Sequence, residues 1–175
     1  KPKVLVLNGG TSTDLKNKIN EANDGDTIQI NATITMEETV IINKSISLRG
    51  SGSLLRNHTN GPIIKVESPG KLTMEEITID GHKRSSDKCI NAAVEVSENS
   101  EFTMKSGKII NNYNYYPGGG IYNYKGTLTI SDGTISGNSA HDHGGGIYNN
   151  QGTVTISGGT ISENSASYDG GGIYG

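Results

Sequence analysis

Short apolar alternations run along most of the chain, separated by Gly, Asn and Ser, and they fall into three sets. One set begins at Ile46 (ISL), Leu72 (LTM), Phe102 (FTM), Leu128 (LTI) and Val154 (VTI), at spacings of 26, 30, 26 and 26 residues. A second comprises IIKV at 63, VEV at 94, IYN at 121 and 147, and IY at 173. A third comprises IQI at 28, LL at 54, ITI at 77, and Ile109, Ile135 and Ile161. A period of two puts alternate side chains on one face, so each set predicts a column of short strands. The opening has a different rhythm. In TDLKNKINEAN (13–23), Leu15, Ile19 and Ala22 stand at i, i+4 and i+7. That spacing predicts a helix with one apolar face and Thr13 at its N-cap.

The columns belong to a repeat. GGGIYN stands at 118 and 144 and GGGIYG at 170, each 26 residues from the last. GTLTISDGTISGNSA at 126 and GTVTISGGTISENSA at 152 are offset by the same 26. A fixed period of this size marks a stacked architecture. A propeller blade needs about 40 residues, and Gly at these positions would break helical repeats. Three short strands per coil of about 26 residues predict an all-β fold, a right-handed single-stranded parallel β-helix. The opening helix would close the end of its core. The expected division is a cap over residues 1–26 and coils over 27–175, the last coil breaking off in mid-repeat and continued or covered by more chain.

Composition fits a thin core. Gly accounts for 25 of 175 residues, there is one Phe and no Trp, and 31% of residues are hydrophobic. The net charge of −3, with no basic stripe, argues against nucleic acid as a partner. Cys89 is the single cysteine, so no internal disulfide can form. No apolar run approaches the roughly 18 residues of a membrane-spanning helix.

The opening LKNKINEANDGDTIQI…VIINKSISLRGSG resembles the capped start of members of the pectate-lyase-like right-handed β-helix superfamily. The GGGIYN and GTVTISGGTIS coils resemble bacterial surface adhesin-like proteins, including the polymorphic outer-membrane protein repeats with their GGA-I and F-x-x-N signatures. Those signatures read here as GGGI and I-x-x-N, over Ile109–Asn112, Ile135–Asn138 and Ile161–Asn164. The resemblance implies an extracellular or cell-surface location and a parallel β-helix.

Strand alternation assigns the faces. In IYN, Ile121 and Asn123 point inward and Tyr122 outward, so Tyr122, Tyr148 and Tyr174 form an outward ladder suited to sugar rings or a protein partner. Asn112, Asn138 and Asn164 recur at a turn and Asn123 and Asn149 inside a strand, where stacked amides bond one another. The insertion DGHKRSSDKC (80–89) lengthens one coil, and Asp80, His82 and Arg84 are candidates to meet a ligand there. HDH at 141–143 precedes a triple glycine, but the two histidines do not recur and read as decoration on a turn. Lyases and hydrolases of this fold place carboxylates on neighbouring coils. The column Lys71, Glu101, Thr127, Thr153 holds one acid. No catalytic residue, metal or cofactor is assigned. The sequence therefore reads as a non-catalytic module of an exported surface protein, an adhesin or stalk meeting glycan or a host or cell-surface protein. The alternative is a carbohydrate-active β-helix enzyme, or a fragment of one.

Overall fold

A computed structural model describes residues 1–82 and 91–175. Each coil of the right-handed parallel β-helix passes through three sheets in turn. The first sheet holds Val4–Leu7, Thr27–Ile30, Ser45–Arg49, Lys71–Glu75, Glu101–Met104, Thr127–Ile130 and Thr153–Ile156. The second holds Thr33–Met36, Ser53–Arg56, Thr78–Asp80, Lys108–Ile110, Thr134–Ser136 and Thr160–Ser162. The third holds Val40–Ile42, Ile64–Val66, Val94–Val96, Ile121–Tyr124, Ile147–Asn150 and Ile173–Tyr174.

Registers follow the apolar columns. Ile46, Leu72, Phe102, Leu128 and Val154 stand beside one another in the first sheet. Ile64, Val94, Ile121, Ile147 and Ile173 do so in the third. The inward residues make one continuous core of Ile, Leu, Val and Met, with Phe102 its largest fully buried side chain.

Four features depart from the sequence reading. Ile28 belongs to the first sheet, opposite Leu48, and the second sheet opens with Ile34 opposite Leu54. The first coil is only 20 residues long, so a period of 26 carried backwards lands on the wrong strand. Val4–Leu7, which shows no polar alternation, pairs with Thr27–Ile30 and extends the first sheet ahead of the helix. The late coils carry a fourth, two-residue strand: Tyr113–Asn114, Ser139–Ala140 and Ser165–Ala166 pair in a sheet of their own. Finally, the helix spans Ser12–Glu21 and its N-cap is Thr11, not Thr13. Thr11 Oγ1 accepts from Thr13 N–H at 3.3 Å while Asp14 Oδ2 accepts from Thr11 N–H at 2.8 Å. This reciprocal pairing is a capping box, which fixes the first turn two residues earlier.

The helix lies over the end of the core, packed against Val4–Leu7, Thr33–Met36 and Val40–Ile42, with Leu15 and Ile19 buried. Its C-terminal carbonyls are met from the next coil. Lys44 Nζ donates to the carbonyls of Ile19 and Ala22, both at 2.7 Å, and of Asn20 at 3.3 Å. A cation there also opposes the negative end of the helix dipole. No helix among the described residues is long and apolar enough to cross a membrane.

Candidate functional site

The outward row of the third sheet changes character along the rod. Its register runs Ile41, Lys65, Glu95, Tyr122, Tyr148, Tyr174. The tyrosine rings stack face to face, Tyr122 on Tyr148 at 5.6 Å and 4° and Tyr148 on Tyr174 at 5.5 Å and 10°. Parallel strands in register force this spacing, because equivalent atoms repeat once per coil. Asn150 Nδ2 donates to the Tyr122 hydroxyl at 3.2 Å, so the first ring is held at its tip as well as its face.

The row continues through residues that do not repeat. His143 stacks on Tyr174 at 4.4 Å and lies 5.6 Å from Tyr168. Tyr168 meets His141 edge-on at 6.5 Å, and His141 stacks on Tyr115 at 4.7 Å. Tyr115 in turn meets Tyr116 edge-on at 5.6 Å. The HDH turn is therefore part of an eight-ring network rather than decoration. His143 Nδ1 accepts from Asp169 N–H at 3.1 Å and Nε2 faces Asp142 Oδ1 at 3.0 Å. Nδ1 as acceptor and Nε2 as donor satisfy both contacts. Asp142 and Asp169 lie on opposite edges of that ring, so the three side chains do not converge on one point. No group of three or more metal-ligating side chains gathers among the described residues.

The triple glycines serve the backbone. Gly144 has φ +67°, which opens the turn, and a Cβ on Gly145 would collide with the carbonyls of Ser165 and Gly171. The N–H groups of Gly144, Gly145 and Ile147 donate to carbonyls of Asp169, Gly170 and Gly172 on the next coil at 2.9–3.1 Å. These amides are engaged, and no helix follows, so the segment does not build an anion cradle.

Inward amides knit the same coils. Asn138 Oδ1 accepts from the backbone and side-chain N–H of Asn112 at 3.0 and 2.9 Å. Its own Nδ2 donates to Ile109 O at 3.0 Å and Asn164 Oδ1 at 3.1 Å. Asn123 Nδ2 donates to Asn149 Oδ1 at 2.9 Å.

The lengthened coil is described only in part. Asp80 Oδ1 accepts from His82 N–H at 2.8 Å, and His82 takes a left-handed backbone, φ +48°. This bond closes a tight turn of the kind Asp side chains favour. Arg84 lies outside the described residues, as does Cys89.

Two features carried no signal at the level of sequence. Arg56, buried with no carboxylate paired to it among the described residues, donates to the carbonyls of Gly61, Asn91 and Ala92 at 2.8, 2.9 and 3.1 Å, and burial pulls its pKa down to about 10. The second is a cleft of about 320 Å³ lined by Asn91, Ala92, Glu95, Asn114, Tyr116, Pro117 and Tyr122. Its residues come from two coils and a turn, and only the register of the third sheet brings Glu95 beside Tyr122.

Residues 132–150 and 154–175 match the family model of the Chlamydia polymorphic membrane protein repeat. The two stretches make up less than a quarter of the chain and lie in its last coils. There the chain is similar to that repeat, and the matched residues include the last two of the three GGGI segments and the last two of the three I-x-x-N segments, Ile135–Asn138 and Ile161–Asn164. In the fold these are the close-packed glycine turns and the amide ladder. No curated protein matches the chain.

Proposed function

We propose that the chain is a non-catalytic β-helix module of an exported cell-surface protein, a stalk or adhesin that meets glycan or a host or cell-surface protein through its side. The observation that carries this reading is the row Tyr122, Tyr148 and Tyr174, three stacked rings on an outward face of a rigid rod. Half-exposed aromatics with polar tips, set at a fixed spacing, suit a partner with its own repeating surface. The similarity of the last coils to a repeat named for membrane proteins supports a place at the cell envelope.

The outward registers speak against paired-acid catalysis. At the described positions the first sheet offers Ser45, Lys71, Glu101, Thr127 and Thr153 in one row, where Lys71 is paired with Glu101 at 3.3 Å, and Arg49 and Glu75 in another, where Glu75 is paired with Lys105 at 3.8 Å. The second offers Leu55 and Asp80, then Ile110, Ser136 and Ser162. The third offers Glu95, and the acid beside it, Glu67, is tied to Lys65 at 3.3 Å. Hydrolysis of a glycosidic bond by two flanking carboxylates needs a second acid within about 5–10 Å across one site.

The test is antibody labelling of intact and permeabilised producing cells, with a glycan array for the isolated chain and its Tyr122→Ala/Tyr148→Ala double variant. Labelling of intact cells, and array signals lost in the double variant, are expected. Labelling only after permeabilisation would overturn the surface role. Cleavage of any arrayed polysaccharide would overturn the non-catalytic one.

A further inference from the structure

The tyrosine stack stops at Tyr122. One coil earlier the same register holds Glu95, so no ring covers that side of Tyr122, and the space there is the cleft. Tyr116 and Pro117 line it as well. Their turn is held in place. Asn114, 2% exposed, donates to the carbonyls of Pro117 and Gly118 at 2.7 and 2.9 Å and accepts from Tyr116 N–H at 2.8 Å.

Glu95 is a half-buried carboxylate with no hydrogen-bond donor upon it among the described residues. The nearby cation, Lys65, is drawn to Glu67 at 3.3 Å instead. A half-buried carboxylate that no protein donor engages is a strong acceptor for the donors of a ligand. The site thus offers the open face of Tyr122, a second aromatic side chain in Tyr116 and one anionic acceptor without a protein donor, in a volume that suits a single hexose.

We infer that this cleft binds one pyranose unit carrying no acidic group, laid on Tyr122 as the next member of the ring stack, with its hydroxyl or amino donors on Glu95. The axial C–H face of a pyranose packs on an aromatic ring as a neighbouring ring does. A uronic acid is refused, because its carboxylate would face Glu95, with Glu67 close by, in a poorly hydrated place. This inference rests on the adhesin reading and sharpens it: the ladder is the platform, and the cleft is the subsite that selects the sugar.

The test titrates the chain with maltotriose, cellotriose, a glucosamine trimer and trigalacturonate, following Tyr ring signals by NMR. The variants are Glu95→Gln, Tyr116→Ala and Tyr174→Ala, each checked for an unchanged circular dichroism spectrum. At least one non-acidic trisaccharide is expected to bind, with trigalacturonate at least tenfold weaker. Glu95→Gln is expected to weaken binding about tenfold, as loss of a charged acceptor does. Tyr116→Ala should weaken it severalfold and Tyr174→Ala less than twofold. Binding that falls with Tyr174→Ala but not with Glu95→Gln overturns the cleft and keeps the ladder. Tighter binding of trigalacturonate than of the other sugars, or no binding of any of the four, also overturns the cleft. Surface labelling decides the adhesin reading separately in every case.

Discussion

Asn138→Ala removes the centre of the inward amide ladder. Asn138 is fully buried and makes four side-chain hydrogen bonds, two accepted from Asn112 and two donated to Ile109 O and Asn164 Oδ1. Not all are lost at equal cost. Asn112 Nδ2 keeps Ile110 O at 2.9 Å, and Asn164 Oδ1 keeps the backbone N–H of residue 138 at 3.0 Å. The groups left short are the Asn112 N–H, whose acceptor disappears, and the Ile109 carbonyl. A buried polar group deprived of its partner costs about 1–3 kcal/mol, so the change should destabilise by about 2–4 kcal/mol. For a chain of this length that lowers Tm by roughly 5–15 °C. Because coils of a solenoid can open separately, hydrogen exchange gives the sharper reading. The Asn112 amide should lose most of its protection while amides in Ser45–Arg49 keep theirs. Asn150→Ala, which gives up only a partly exposed bond to Tyr122, is the control and should cost less than about 0.5 kcal/mol. If Asn138→Ala costs no more than Asn150→Ala, and Asn112 stays protected, the ladder is not what holds these coils in register.

Three further outcomes are expected. Thr11→Ala should cost about 1 kcal/mol in urea unfolding and Thr13→Ala less than about 0.5, since Thr11 is the residue whose side chain caps the helix; the reverse order would return the cap to Thr13. Gly145→Ala should cost about 1–3 kcal/mol because its Cβ meets backbone carbonyls of the next coil, whereas Gly172→Ala, whose Cβ meets only Ile161 Cγ2 at 3.8 Å, should leave Tm unchanged. Burial holds the Glu95 carboxyl above the usual carboxylate range, opposed by Lys65 and reinforced by Glu67. The folded chain therefore binds this proton more tightly than the unfolded one, and the ionised form is a burden at pH 7 that fades as pH falls through the raised value. Glu95→Gln should raise Tm at pH 7 and not at pH 4, by calorimetry; an equal gain at both would refute burial as the cause.

Much of the fold was legible because inward Ile, Leu and Val repeat at nearly constant spacing. Leu72, Phe102, Leu128 and Val154 are neighbours in sequence pattern and in register alike. The tyrosine ladder was legible for the same reason. What escaped had no periodic trace. The strands Ser139–Ala140 and Ser165–Ala166 are two small residues long and carry no apolar alternation. The short first coil displaced Ile28 from its sheet, since only tertiary pairing sets its length. Thr11, Ser12 and Thr13 can all cap a helix, and the reach of Asp14 back to the Thr11 N–H selects among them. His143 stood outside the repeat, and its stacking on Tyr174 of the next coil has no counterpart one coil earlier, where Pro117 takes its place. Glu95 carried no signal in its strand, because the turn bearing Tyr116 that lines the cleft with it comes from another coil.

The backbone and amide contacts between the coil at Gly119 and that at Gly145 are those between the coil at Gly145 and that at Gly171, shifted by 26 residues. Gly120 N–H meets Gly146 O at 3.1 Å and Gly146 N–H meets Gly172 O at 2.9 Å, and Asn112 relates to Asn138 as Asn138 does to Asn164. Each coil thus presents to its successor the surface that it receives from its predecessor. A gene segment encoding 26 residues can be duplicated or lost here without creating a new interface, and each event changes the rod by about 4.8 Å. The length of the molecule is in effect a heritable copy number, adjustable one coil at a time.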